Sequence, residues 1–366
     1  MASPTELGAL RAAVAESRAA LGRTSPNPPV GAVVLDSAGA VVGTGHTRPP
    51  GGPHAEVVAV TEAGERARGG TLVVTLEPCR HTGRTGPCTD VVLAAGIARV
   101  VFACSDPTPD AGGGAELLAE AGLDVEGGVL SDGVALGPLE AWLTSKQTGR
   151  PFVTWKYAAT LDGRSAASDG TSRWVTGELA RADVHRLRAE VDAVLAGVGT
   201  VLADDPMLDA RPTGVPAAEV AQPLRVIVDS SGRTPLTARA LAGKEPALVA
   251  LTASAALRDT GYPRVLELPT GADGHVDLPA LLDRVAADHD VVSVLLEGGP
   301  VLAGAFVAAG LVDRVIGYVA PALLGSGPAA LADAGVGTIA GAHRLRLDEV
   351  TRLGDDVRLT MRPRRI

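Results

Sequence analysis

His54-Ala55-Glu56, then Thr75-Leu76-Glu77-Pro78-Cys79, then Gly86-Pro87-Cys88 decide how the first half of this chain is read. The chemical groups stand where one element gives way to the next. Glu56–Arg68 reads as a helix, Thr71–Leu76 as a buried strand and Val91–Ala95 as a helix. A catalytic zinc ion takes three protein ligands, typically imidazole and thiolate, and keeps a fourth position for water. His54, Cys79 and Cys88 are such a set. Glu56, two residues from His54, can reach the water without ligating the metal.

H-x-E followed by P-C and a second Cys is the arrangement of hydrolytic zinc deaminases, in which the carboxylate carries protons to the departing ammonia. A closed structural site would need a fourth ligand, and none stands nearby in sequence. Eight residues, Arg80-His81-Thr82-Gly83-Arg84-Thr85-Gly86-Pro87, separate the two cysteines. That is too long for a minimal metal turn. Its glycines, hydroxyls and arginines suit a loop that meets a phosphate or other polar ligand. Cys104, after a strand, reads as an inert core thiol.

Outward from this stretch the pattern is α/β. Thr5–Leu21 has helical periodicity, and Val30–Leu35 and Val41–Gly45 flank the hairpin signal Asp36-Ser37-Ala38-Gly39. Ala98–Ala103 is a strand; Glu116–Ala121 and Val134–Lys146 are helices. Gln147-Thr148-Gly149-Arg150-Pro151 is the expected joint between domains at 1–147 and 151–366. Beyond it, strands are expected at Phe152–Ala158, Ala193–Gly197, Leu224–Val228, Ala247–Leu251, Val291–Leu296 and Val315–Val319. Helices are expected at Glu178–Glu190, Leu278–Ala287 and Pro300–Ala309. Aromatic residues are only 2% of the 366, so both cores must be built from Ala, Val and Leu. A net charge of −9 argues against nucleic acid as a partner. No apolar run approaches a membrane span, and Met1–Leu10 lacks the pattern of a secretory leader. Three cysteines make no disulfide framework, so the cytoplasm is the expected compartment.

The run Thr75–Cys88 and the run Pro26-Asn27-Pro28-Pro29-Val30-Gly31 closely resemble the bifunctional riboflavin-biosynthesis deaminase/reductase family. So do Lys156-Tyr157-Ala158-Ala159-Thr160-Leu161-Asp162-Gly163-Arg164, Thr200-Val201-Leu202-Ala203-Asp204-Asp205-Pro206 and Leu296-Glu297-Gly298-Gly299-Pro300. These occur in the family's order over nearly the whole chain. The resemblance implies an α/β protein with a cytidine-deaminase-like domain followed by a dihydrofolate-reductase-like domain. It implies zinc-dependent deamination of 2,5-diamino-6-ribosylamino-4(3H)-pyrimidinone 5′-phosphate, then NADPH-dependent reduction of the ribosyl to the ribityl side chain. The alternative is a zinc deaminase of another nucleoside-like substrate, with a second domain of different or lost activity.

Residue by residue, the resemblance implies His54, Cys79 and Cys88 as zinc ligands and Glu56 as proton shuttle. It implies Asn27, His46, His81 and Arg84 as substrate contacts; Asn27 also fits a plain turn residue. Arg80 stands for the family's usual Ser and Gly86 for a usual Pro. His46 precedes His54 by one residue more than the family spacing. In the second half it implies Ser172, Arg188, Leu208, Arg211 and Glu297 for substrate. For cofactor it implies Lys156, Ala158, Ala159, Trp174, Thr200, Asp204, Gly298 and Gly299. Trp174 also fits a core aromatic and Arg188 a surface arginine. Thr200 and Asp204 are expected at the start of a short helix. No G-x-G-x-x-G is present, so NADPH rests on the resemblance and not on a local fingerprint. A homo-oligomer is compatible with the resemblance.

Overall fold

The computed structural model describes residues 1–81, 86–242, 245–256 and 260–364. The chain divides into two compact units, Met1–Arg150 and Pro151–Ile366.

The first unit is built on a five-stranded sheet. Helix α1 (Pro4–Ser17) leads to β1 (Gly31–Leu35) and β2 (Val41–His46), an antiparallel pair closed by the expected hairpin. Ser3 caps α1 in a capping box with Glu6, which starts the helix where its orphan N–H groups need acceptors. Then come α2 (Ala55–Ala63), β3 (Thr71–Leu76), α3 (Cys88–Ala94), β4 (Arg99–Cys104), α4 (Gly114–Glu120) and β5 (Asp124–Glu126). The strand order is β2-β1-β3-β4-β5, parallel from β3 to β5. The single helix expected over Val134–Lys146 is two, α5 (Ser131–Ala135) and α6 (Glu140–Thr148). Gly137-Pro138 lies between them, and a proline has no N–H to continue the ladder.

Glycines on β2 set where α2 lies. A Cβ on Gly45 would sit 2.5 Å from the Ala55 carbonyl oxygen and 2.7 Å from the Ala59 nitrogen. One on Gly43 would sit 2.1 Å from the Ala59 carbonyl oxygen. Helix α2 therefore rests directly on the strand backbone, and its first turn carries Glu56.

The second unit holds a nine-stranded sheet. Its elements are β6 (Phe152–Thr160), α7 (Glu178–Ala189), β7 (Ala193–Gly197), α8 (Val198–Asp204), β8 (Leu224–Val228), β9 (Leu248–Thr252), α9 (Ala253–Ala256) and β10 (Val265–Leu268). They continue through α10 (Leu278–His289), β11 (Ser293–Glu297), α11 (Pro300–Ala308), β12 (Arg314–Ala320), β13 (Leu345–Leu353) and β14 (Asp356–Pro363). The order is β10-β9-β8-β7-β11-β6-β12-β14-β13. Every pair from β10 to β12 is parallel; β14 and β13 close one edge antiparallel. Buried strands face two cores alternately. Ala193, Leu195, Val226, Leu248, Val294 and Leu296 enter one cluster; Val194, Ala196, Ile227, Val249 and Leu295 enter the other. Period-2 geometry with apolar cover on both faces explains the unbroken Val/Leu/Ala runs. Phe306 and Tyr318 are the largest fully buried side chains.

Gly45→Ala should force α2 off β2 at a cost of about 1–3 kcal/mol, the range for overpacking a close contact. Denaturant unfolding monitored on the first unit checks this; an unchanged midpoint would disprove the tight seating of α2.

Candidate active sites

In the first unit two strand–helix connections, β2 to α2 and β3 to α3, bring together the residues singled out by sequence. His54 is the N-cap of α2, Glu56 lies in its first turn, Cys79 follows β3 and Cys88 opens α3. The ligand atoms of His54, Cys79 and Cys88 all lie within 4.8 Å of one another. His54 Nδ1 is 3.2 Å from Cys88 Sγ and 3.6 Å from Cys79 Sγ. Tetrahedral zinc, with bonds of about 2.0–2.1 Å to nitrogen and 2.3 Å to sulfur, puts such atoms about 3.6 Å apart. The donor set and its spacing fit the ion. The Cys88 N–H points at Cys79 Sγ at 3.5 Å, a backbone donor behind a ligand.

The electrostatics match this chemistry. Hydrogen bonding from the Cys88 thiol holds the Cys79 thiol down to about 4, against the opposing pull of burial and with help from His54. The same contact pushes Cys88 up. Burial pushes the Glu56 carboxyl up to about 7, with Cys79 adding to it. Cys104 lies outside this group; burial pushes it up to about 11, as expected for an inert thiol.

Around the triad, Asn27 is half-buried in a turn closed by Thr24, and no protein group engages its side-chain amide among the described residues. His46 Nδ1 is 2.6 Å from Glu16 Oε1, and Arg48 Nη1 is 2.9 Å from its Nε2, so both ring nitrogens are engaged. His81 Nδ1 is buried without a partner among the described residues. Arg84 lies outside the described residues.

Sequence reading passed over Glu77. It is buried, and its carboxylate accepts N–H bonds from Asp106 (3.2 Å), Gly113 (3.0 Å) and Ala115 (2.9 Å). The 106–115 segment is thereby tied beside Cys79, whose neighbour Arg80 donates its N–H to the Ala111 carbonyl. A carboxylate directly after an apolar strand was the available signal, since such a group is buried only with partners.

In the second unit the site gathers at the carboxyl ends of parallel strands, where open α/β sheets bind ligands. Glu297 ends β11 and pairs in register with Lys156 of β6. Arg188 of α7 grips Glu297 in a fork, Nε to Oε1 at 2.5 Å and Nη2 to Oε2 at 2.8 Å; Lys156 Nζ is 3.8 Å from Oε2. Burial opposes ionisation of Glu297, yet Arg188 and then Lys156 outweigh it and hold the carboxyl down to about 2. Burial pulls the Lys156 ammonium below its usual value, with Glu297 opposing. Arg188 is thus no surface arginine, and Nη1 is spent on the Asp209 carbonyl.

Gly298 and Gly299 have φ of +77° and +63°, and Pro300 starts α11. A Cβ on Gly298 would lie 2.4 Å from Thr200 Oγ1, so three of the expected cofactor residues meet in one open backbone turn. That turn fits a cofactor phosphate needing close backbone approach. Thr200 lies early in α8, but Asp204 is its last residue and not its start; it accepts from Ser172 Oγ at 3.0 Å. Trp174 is exposed under the Arg181 guanidinium, 4.5 Å from the ring centroid, and so is no core aromatic. Ala158 and Ala159 face opposite sides of β6, so only one can offer its small side chain to a given ligand. Leu208 is buried with φ of +57°, and the Arg211 side chain is 59% exposed.

Two family profiles match the chain. One, the cytidine and deoxycytidylate deaminase zinc-binding region, matches residues 5–104; the other, the RibD C-terminal domain, matches residues 151–359. The riboflavin biosynthesis protein RibD of Mycobacterium tuberculosis is 46% identical over 353 residues, 96% of each chain. RibD of Acinetobacter baumannii superposes with a TM-score of 0.87 at 39% identity, covering 99% of each chain. A Thermotoga maritima protein, described as a diaminohydroxyphosphoribosylaminopyrimidine deaminase/5-amino-6-(5-phosphoribosylamino)uracil reductase, superposes with a TM-score of 0.86 at 34% identity. That match covers 98% of this chain and 99% of the other. With a metal-ready deaminase triad in one unit and a charged cluster beside a two-glycine turn in the other, the chain belongs to the RibD family of bifunctional riboflavin-biosynthesis deaminase/reductases.

Proposed function

We propose that residues 1–150 deaminate the diaminopyrimidinone ribosylamino phosphate and residues 151–366 reduce its ribosyl group. The observation that carries the reading is the His54–Cys79–Cys88 triad, its imidazole half-buried and its thiols buried, with the buried Glu56 beside it. Bound by that triad, zinc supplies Lewis-acid activation of water at neutral pH. Glu56 takes a proton from the attacking water and gives one to the leaving amine, so a C–NH₂ becomes a carbonyl and ammonia departs. The unengaged Asn27 amide and His81 Nδ1 supply hydrogen bonds to the ring edge. His46, committed to Glu16 and Arg48, supports the pocket through Arg48, and Arg84 meets the phosphate from the loop between the cysteines.

In the second unit NADPH supplies the hydride. Thr200, Gly298 and Gly299 form the turn against which it lies, with Trp174, Asp204 and one of Ala158 and Ala159 beside it. Lys156, beside Glu297, contacts the cofactor, and Glu297, Leu208 and Ser172 shape the substrate pocket. Arg188 already spends three of its five N–H donors on protein, which leaves Arg211 as the phosphate contact. Geometry, more than acid–base chemistry, brings donor and acceptor together.

Among the described residues no helix is long and apolar enough to cross a membrane. The three cysteines are free, two of them in the triad, which supports a reducing compartment such as the cytoplasm. Strand β13 ends the larger sheet and exposes Leu347 and Val350, which supports association of copies.

Mass spectrometry after supplying the substrate tests the whole reading. Amine-to-carbonyl exchange without NADPH, followed by a gain of two hydrogens with it, is expected; exchange without later reduction would remove the reductase. Glu56→Gln should keep its zinc by metal analysis while deamination falls by on the order of 10²- to 10⁴-fold. Chelation should abolish deamination, leave reduction running and be reversed by zinc. Retained turnover in the Gln variant would remove Glu56 from the proton path.

Glu297 titrates at about 2 when folded, against an ordinary 4.5. Its contribution, on the order of 3 kcal/mol, is complete above 4.5 and is lost as pH falls towards 2. The stability gap between the parent and Glu297→Gln should therefore shrink from pH 6 to pH 3 in urea unfolding. A gap constant over that range would contradict the ion pair.

A further inference from the structure

We propose that His185 is a positioning residue of the reductase site: its imidazole holds the backbone of Arg211 and so aims the guanidinium that meets the substrate's phosphate. The inference rests on the reading of Arg211 given above.

His185 and Arg188 lie three apart on α7 and so share a face. Both reach the segment Leu208–Arg211. The Arg211 N–H donates to His185 Nδ1 at 3.2 Å, and Arg188 Nη1 donates to the Asp209 carbonyl at 3.0 Å. Between them, Gln222 Nε2 donates to the Ala210 carbonyl at 2.9 Å, and Gln222 Oε1 accepts the Ala210 N–H at 2.9 Å. Three consecutive residues outside any strand or helix are thus each held by a side chain. Leu208, just before them, is in the left-handed region at φ +57°, a conformation a leucine keeps only where its surroundings over-determine it. The segment is a preset backbone, and Arg211 is its outward-facing charge, with Nε 3.4 Å from Asp209 Oδ2.

An imidazole that accepts at Nδ1 is neutral and carries its proton on Nε2. Protonation turns Nδ1 into a donor, and the Arg211 N–H loses its partner. The charged groups around His185 are Arg188 on its own helix, Arg211 and Asp209 on the held segment, and Glu297 at the end of β11. Burial first, then Arg188 and Arg211, pull its pKa below 6.5, with Asp209 opposing. The anchor therefore stands at neutral pH and is lost only on the acid side of the ordinary imidazole value.

Steady-state reduction of the deaminated ribosylamino phosphate by the full chain, with saturating NADPH, tests this. His185→Leu should raise KM for that substrate about tenfold, the size of one lost net hydrogen bond, with kcat little changed and deamination intact. His185→Gln, whose side-chain oxygen can still accept the Arg211 N–H, should restore KM and flatten the rise in KM seen for the parent at acid pH. The substrate phosphate's own titration near about pH 6 is common to both enzymes and cancels in the comparison. An unchanged KM in His185→Leu, or the parent's acid limb persisting in His185→Gln, would overturn the role. Arg211→Ala separates the two claims. Unchanged KM there sinks the phosphate reading and His185 with it; a raised KM there beside an unaffected His185→Leu sinks His185 alone. Should the leucine variant fail to fold, the pH series of His185→Gln against the parent decides by itself.

Discussion

Burying negative charge is costly unless something positive is buried with it, and both units are organised around that constraint. In the first unit the Cys79 thiol, held down towards its charged form, is buried beside Cys88 and Glu56, with the His54 imidazole facing it among the described residues. A divalent cation bound by the triad would satisfy that demand, and the β2–α2 and β3–α3 connections converge to hold one. In the second unit the compensation is internal. Glu297 is enclosed, and Arg188 and Lys156 neutralise it from a helix and a neighbouring strand. One site imports its positive charge, and the other carries it in the chain.

The same contrast explains how each site is held. Zinc ligands tolerate little displacement: His54 caps α2, which is seated on Gly43 and Gly45 without intervening side chains, Cys88 opens α3, and Cys79 follows β3. Glu77 extends this control beyond the ligands by gathering three backbone N–H groups of the segment packed beside Cys79. The reductase pocket instead depends on long side chains that reach backbone in other elements, as Arg188 and Gln222 do. Such contacts fix a loop as firmly as a strand would, at the cost of ordering flexible side chains.

This difference governs what could be read in the sequence. The triad and Glu56 were legible because metal chemistry restricts residue types and spacing. Strands β3, β7 and β8 were legible to the residue because two-sided burial leaves continuous apolar runs. Strands β13 and β14 were not: β13 is largely solvent-facing, β14 is half-buried along most of its length, and a bulge between Leu347 and Glu349 interrupts the two-residue period that would have revealed the first. Asp204 was expected at a helix start because its neighbours match a family motif, yet that helix begins at Val198. His185 and Gln222 gave no signal at all. Their partners are backbone atoms of residues 26 and 12 positions away, and backbone groups have no letter in a sequence.

Why the reductase chemistry sits where it does follows from the sheet. Strands covered on both faces have no surface on which to place a polar site, so polar groups can enter only where the strands end. On β11 the apolar run Val294-Leu295-Leu296 stops at Glu297, and the chain turns through two left-handed glycines. On β6 the matching register position is Lys156. The charge pair therefore marks where the apolar run of β11 ends. Arg188 reaches that level from α7 and continues to the Asp209 carbonyl, so the helix that covers one face of the sheet also ties the end of β11 to the 208–211 segment.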